Sequence, residues 1–163
     1  MKKHLLFFSF LIILFPLTAQ PLCQIEYFTA NNGLSQGVIT AILQDQKGFM
    51  WFSTWNGLDK FDGYSFRNYK AFPGDGCMLT NNRIVFITES KYGNIWCQTY
   101  DGHIFLFDTK EEKFIDVLQS IEEETKHINL VKQFYVLSKG ITWVVCDKGF
   151  NFRIVEEELY KEK

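Results

Sequence analysis

The chain has 163 residues, room for one domain, and its 47% hydrophobic and 22% charged content is enough to bury a core and excludes disorder by composition. Aromatic residues make up 17%, led by Phe, a load that suits strand surfaces better than long helices and predicts an all-β domain. The formal net charge of −2 leaves no basic stripe for a phosphate backbone, which argues against a nucleic-acid partner.

Met1 to Gln20 reads as a signal peptide. Lys2 and Lys3 form a positive start, Leu5 to Phe15 an apolar run broken only by Ser9, and Thr18 and Ala19 offer small residues for cleavage after Ala19. At ~1.5 Å per residue that run reaches only about half of a ~30 Å hydrocarbon core, so it is not an anchor. Gln20, Pro21 and Leu22 lack the small residues of a lipoprotein signal before Cys23. No other segment is apolar enough to span a bilayer, so the expected mature chain, 21–163, is exported without a membrane span.

Self-comparison then organises the remainder. Gly48-Phe49-Met50-Trp51-Phe52-Ser53-Thr54-Trp55-Asn56-Gly57 returns roughly 45 residues later as Gly93-Asn94-Ile95-Trp96-Cys97-Gln98-Thr99-Tyr100-Asp101-Gly102. Gly140 to Gly149, with Trp143, is a third copy of Gly-x-x-Trp-x5-Gly at a similar interval. Upstream, Leu34-Ser35 matches Leu79-Thr80, and Ile39 and Ile42 match Ile84 and Ile87. The repeats run over about 33–77, 78–125 and 126–156.

Within the first repeat, Val38 to Gln44 reads as an apolar strand ending in the turn Asp45 to Gly48, and Phe49 to Thr54 as the second strand. Asn56-Gly57 is a strong hairpin signal, repeated by Asp101-Gly102. Leu58 to Phe61 and Ser65 to Ala71 supply two more strands. Four antiparallel strands per repeat make a propeller blade, so the fold class is a partial β-propeller of about three four-stranded blades. Trp51, Trp96 and Trp143 are expected to pack between neighbouring blades. Ile25 to Thr29 reads as the strand that would complete a final blade. Ser120 to Asn129 is an acidic link, and the charged end after Val155 need not pack.

Cys23, Cys77, Cys97 and Cys146 show no metal-ligand spacing, and Cys97 and Cys146 fall in strands of different repeats, where buried thiols are expected. No motif implies a metal or a cofactor. The histidines are His4, His103 and His127; Lys126-His127-Ile128 lacks the acidic neighbour of a phosphoacceptor box, and no Gly-rich nucleotide loop is present, so the chain carries no kinase motif.

Gly33-Leu34-Ser35, Ile42 to Thr54 and Gly57-Leu58-Asp59-Lys60-Phe61-Asp62-Gly63-Tyr64-Ser65-Phe66 resemble the two-component regulator propeller repeat. The second copy is a good match and the third a partial one. The resemblance implies the periplasmic sensor of Bacteroides-type hybrid two-component histidine kinases, whose parent is anchored in the inner membrane and carries many more blades. The chain is then expected to be an N-terminal fragment, and its two open faces predict a marginal protein that self-associates or pairs with the remaining blades.

Ligands of propellers sit on one end, contacted by loops of several blades. Trp55-Asn56 and Tyr100-Asp101 occupy the same repeat position, and aromatic faces beside amide or carboxylate groups suit a sugar. Arg83, in the link into the second blade, is a further candidate. With the resemblance, these residues imply an oligosaccharide-sensing module. Two alternatives stand beside it. A glycoside-cleaving propeller needs an assignable carboxylate pair, and an interaction scaffold would use its open strand edges.

Overall fold

The computed structural model describes residues 25–71, 79–119, 131–146, 149 and 151–160. The expected signal peptide, Cys23, Cys77 and the acidic link lie outside the described residues. Three antiparallel sheets follow one another along the chain. The first is β1 (Ile39–Gln44), β2 (Met50–Thr54), β3 (Gly57–Phe61) and β4 (Phe66–Tyr69); the second is β5 (Ile84–Glu89), β6 (Ile95–Thr99), β7 (Ile104–Asp108) and β8 (Lys113–Asp116). Both are ordered as simple meanders, and the third sheet contains β9 (Val131–Leu137), β10 (Ile141–Cys146) and β11 (Asn151–Val155) in the order β9-β10-β11. The first two are four-stranded blades. The third has three strands among the described residues.

Turn chemistry sets each hairpin. Asp45 closes the β1–β2 turn by accepting on Oδ1 from the backbone N–H of Lys47 and of Phe49, both at 2.9 Å. Between β2 and β3 only Trp55 and Asn56 intervene, with Thr54 paired to Gly57. Gly57 stands at φ +114°, and a Cβ there would lie 2.4 Å from the Tyr69 carbonyl, so glycine is required on two grounds. Asp101-Gly102 does not reproduce this hairpin. One extra residue lengthens the second loop, and its ends close through Thr99 N–H to His103 C=O at 3.0 Å.

The blades stack face to face through two apolar cores. In the first, Trp51 and Leu58 of blade one meet Ile84, Ile87, Ile95, Cys97, Phe105 and Phe107 of blade two. The second joins Trp96, Ile104, Leu106 and Ile115 to Phe134, Val144 and Ile154 of blade three. The repeat position of Trp is therefore a trailing-face position, covered by the next blade. Trp51 is 1% and Trp96 0% exposed, whereas Trp143 is 46% exposed. The expectation that all three pack between blades is corrected for Trp143: with Tyr135 opposite it on β9, it lies on the outward face of blade three, where no described residue takes the place of a next blade.

Two further expectations change. Ile25 to Thr29 is irregular chain, from which Phe28 packs on the leading face of blade one, 4.9 Å from the ring of Phe61 and 5.6 Å from that of Phe66. The acidic segment after Val155 packs as well: Glu156–Tyr160 is a 3-10 turn whose Glu156 is 1% exposed. Cys97 and Cys146 are buried thiols, and burial pushes the Cys97 thiol far above its usual range.

Candidate ligand-binding site

The β2–β3 and β6–β7 loops emerge at the same end of the sheets, and the chain entering β5 arrives between them. This link is fastened at several points. Leu79 is buried in the first core. The Asn82 side chain pairs with the backbone of Ala71 as a strand would, accepting from its N–H at 2.8 Å and donating to its C=O at 3.0 Å. Gly57 N–H then donates to Asn82 C=O, and Tyr100 N–H to Arg83 C=O, each at 2.8 Å. Arg83 N–H is taken by Asn81 Oδ1 at 2.9 Å. Turns of two blades thus hold one link.

This framework brings three of the five candidate residues together. The Arg83 guanidinium carbon lies 5.2 Å from the Trp55 ring centroid and 5.9 Å from that of Tyr100, within cation–π range of both. Trp55 is 46% and Tyr100 70% exposed, so both rings keep large accessible surfaces.

Asn56 and Asp101 are occupied differently. Asn56 donates from Nδ2 to the Ser35 carbonyl at 3.3 Å, and its backbone N–H donates to Thr54 Oγ1 at 3.0 Å. Asp101 accepts from Thr99 Oγ1 at 2.5 Å and from Thr80 Oγ1 at 3.4 Å, with His103 Nδ1 at 3.5 Å. Partial burial alone would raise the Asp101 carboxyl, but the Thr99 hydroxyl and the neighbouring imidazole outweigh it and hold it below the usual carboxylate range. Both side chains shape the loops that present the rings.

Beside Tyr100 lies a cleft of about 590 Å³ between blades two and three, bounded by Val85, Gln98, Asp101, Val131 and Lys132. Asp101 is the one carboxylate among its described lining residues, where glycoside cleavage needs a pair. Another cleft, about 530 Å³, opens at the opposite end of blade two and includes Tyr92, Asn94, Asp108, Lys110 and Tyr160. Its polar groups largely serve one another: the Tyr92 hydroxyl donates to Glu157, and Asn94 Nδ2 donates to the Tyr160 hydroxyl at 3.0 Å. Burial and the Asp108 carboxylate push the Tyr160 phenol far above its usual range, which keeps it a neutral donor. The Trp55–Arg83–Tyr100 end is therefore the better candidate.

Sequence reasoning missed two polar networks that support the blades. In blade one, Asp45 Oδ2 accepts from the Trp51 indole N–H at 2.9 Å, while Asp59, fully buried, accepts from Ser35 N–H, Ser35 Oγ and Asn68 Nδ2, each at 2.8 Å. In blade two, Ser90 stands where Asp45 would, and Glu156 supplies a carboxylate to Ser90 Oγ and Asn94 Nδ2, each at 2.9 Å. The mismatch of Asp45 and Ser90 at one repeat position was the available signal.

Comparison with known proteins places these features. Residues 33–56 match the two component regulator propeller family. A stretch of 53 residues is 42% identical to Histidine kinase P4 of Formosa agariphila, covering 32% of this chain and 4% of that protein. The fold is similar to the extracellular domain of the putative hybrid two component system BT4673 from B. thetaiotaomicron, with a TM-score of 0.62 and 22% identity over 86% of this chain and 20% of that one. A second structure of the BT4673 extracellular domain gives a TM-score of 0.60 at the same identity and coverage. The chain thus spans a small part of the proteins it matches. No helix among the described residues is long and apolar enough to cross a membrane.

Proposed function

We propose that this chain, which carries a two-component regulator propeller repeat, is part of the periplasmic ligand-sensing region of a hybrid two-component histidine kinase and that it senses a carbohydrate. The repeat and the propeller-like fold support the sensor assignment. The observation that carries the carbohydrate reading is the pair of accessible rings at one repeat position on adjacent blades, with Arg83 between them. Aromatic faces cover the C–H surface of a sugar ring, and the neighbouring polar groups bond its hydroxyls. Export by the predicted leader, 1–20, would put this surface in the periplasm.

The test is a glycan array probed with the purified chain, followed by calorimetry on the glycans retained. Trp55→Ala and Tyr100→Ala should each weaken binding by about tenfold or more while leaving the thermal midpoint within a few degrees. Unchanged affinity in both variants would remove this face from consideration.

One observation favours a compatible scaffold role. Trp143 and Tyr135 stand on blade three where Trp51 stands on blade one, and that face of blade one is covered by a blade. A further blade of the same repeat is the partner proposed for it. Fusing one more repeat after residue 163 should shift the emission of Trp143 to shorter wavelength; an unshifted spectrum in a folded fusion counts against this role.

A further inference from the structure

Arg83 narrows the chemistry of that ligand. We propose that the glycan is acidic, and that Arg83 reads its carboxylate or sulfate ester; the inference rests on the carbohydrate reading above and makes it more specific.

A guanidinium has five N–H donors lying in its plane. The Arg83 side chain has ring contacts to Trp55 and Tyr100 and donates no hydrogen bond to another described residue, its one described donation being from the backbone N–H, so the guanidinium donors remain for an acceptor. The ion pairs among the described residues are Arg67–Glu112, His103–Asp101 and Lys113–Glu111, and none uses Arg83. Its charge thus lies beside two aromatic rings, with no carboxylate ion pair among the described residues. Bidentate bonding to a planar carboxylate, or to two oxygens of a sulfate, is the interaction this geometry suits best.

The group is also positioned in advance. Its backbone is held by Asn81 Oδ1 on one side and by Tyr100 N–H on the other, and the rings restrict the side chain, so less rotamer freedom remains to be lost on binding. Lys132 lies across the adjoining cleft and adds a second positive group along the same surface. Asp101 turns its oxygens to Thr80, Thr99 and His103, so its carboxylate is engaged within its own loop. A free inorganic anion would use Arg83 alone; a charged sugar would also use Trp55 and Tyr100.

The experiment presents the purified chain with matched neutral and acidic carbohydrates: maltoheptaose against heptagalacturonate, and dextran against dextran sulfate, with inorganic sulfate as control. Binding is expected for the acidic partner of at least one pair and to weaken as salt rises. Arg83→Ala should weaken that binding by on the order of tenfold to a hundredfold, with Arg83→Lys between it and the wild type. Circular dichroism confirms that each variant folds. Trp55→Ala should weaken the charged sugar severalfold more than it weakens inorganic sulfate, which loses only the positioning of Arg83. Equal binding of neutral and acidic partners overturns the acidic assignment and preserves the carbohydrate reading. Acidic binding that survives Arg83→Ala also overturns it, since a diffuse polyanion attraction then suffices. Binding of inorganic sulfate as tightly as the sugars, or of none of these probes, overturns both readings.

Discussion

In blade one the β1–β2 turn and the indole behind it are both served by Asp45, whereas in blade two the corresponding turn carries Ser90 and takes a carboxylate from Glu156, in the chain that follows blade three. The first arrangement spans a few residues of sequence, and the second joins the β5–β6 turn of blade two to the chain that follows β11. Their acceptor balance differs too. Trp51 has a partner, while the buried Trp96 Nε1 has none among the described residues. Each turn is served by its own Asp45 or Ser90 and also reaches the following blade, through Gln46 N–H to the Glu89 carboxylate at 3.0 Å in blade one and through Ser90 and Asn94 to Glu156 in blade two. What differs is the buried side chain behind the turn, held by a carboxylate of its own blade in one case and by a carboxylate of the next repeat in the other, where stacked repeats hold most of their cooperativity.

The comparison breaks most visibly at the tryptophans. Trp51→Ala and Trp96→Ala should each cost about 3–5 kcal/mol in urea unfolding, the usual loss for a large buried aromatic. Trp143→Ala, at the same repeat position but facing outward, should cost about 1 kcal/mol or less. Equal losses at all three would mean that the outward face of blade three is covered in solution.

Removing each carboxylate comes next. Asp45→Ala leaves the Trp51 N–H and two turn N–H groups without their acceptor, and Glu156→Ala does the same to Ser90 and Asn94; each should cost about 1–3 kcal/mol. Hydrogen exchange sharpens the contrast. Asp45→Ala should open the β1–β2 turn and the Glu89 contact it makes with blade two, and Glu156→Ala should loosen the turn of blade two together with the end of blade three. If Glu156→Ala behaves like a surface change, the carboxylate is not shared between repeats.

Restoring the repeat residue is a smaller perturbation. Ser90→Asp places a second carboxylate beside Glu156 and should destabilise the chain, and Glu156→Gln in that background should recover part of the loss. A coupling of about 1 kcal/mol is expected from a double-mutant cycle, and additivity would show that the two side chains do not meet.

The smallest effect is in the acid range. The Asp101 carboxyl sits below its ordinary value when folded, so protons bind the unfolded chain more readily. The stability it adds is therefore complete above the ordinary carboxylate value of about 4 and is lost as pH falls through the lower folded value. Thermal midpoints measured from pH 6 downward should fall less steeply below about pH 4 in Asp101→Asn than in the wild type. A parallel slope would show that the Thr99 and His103 contacts do not persist in solution.

The strands were legible because each repeat alternates short apolar runs with turn residues of fixed chemistry; Ile39–Gln44 and Met50–Thr54 are displaced by one residue at most from where the pattern puts them. Trp55, Arg83 and Tyr100 were legible as separate candidates, since two share a repeat position and the third lies in a link. Their meeting was not, because it depends on Asn82 imitating a strand partner for Ala71, which has no pattern of its own. Trp143 follows from two expectations in tension, since the repeat puts it between blades while a fragment of about three blades leaves an open face; its 46% exposure sides with the open face. Glu156 reads as one of three successive glutamates, and only packing against Ser90 and Asn94 separates it from the other two.

The successive carbonyls of Asn82 and Arg83 are claimed by turns on different blades, Gly57 in one and Tyr100 in the other. Peptide planes are stiff and the residue between them has only two soft torsions, so the link works as a short crank. The Trp55 loop and the Tyr100 loop are thereby fastened to adjacent peptide units of one link. A guest resting on both rings would touch loops of two blades that share one fastening.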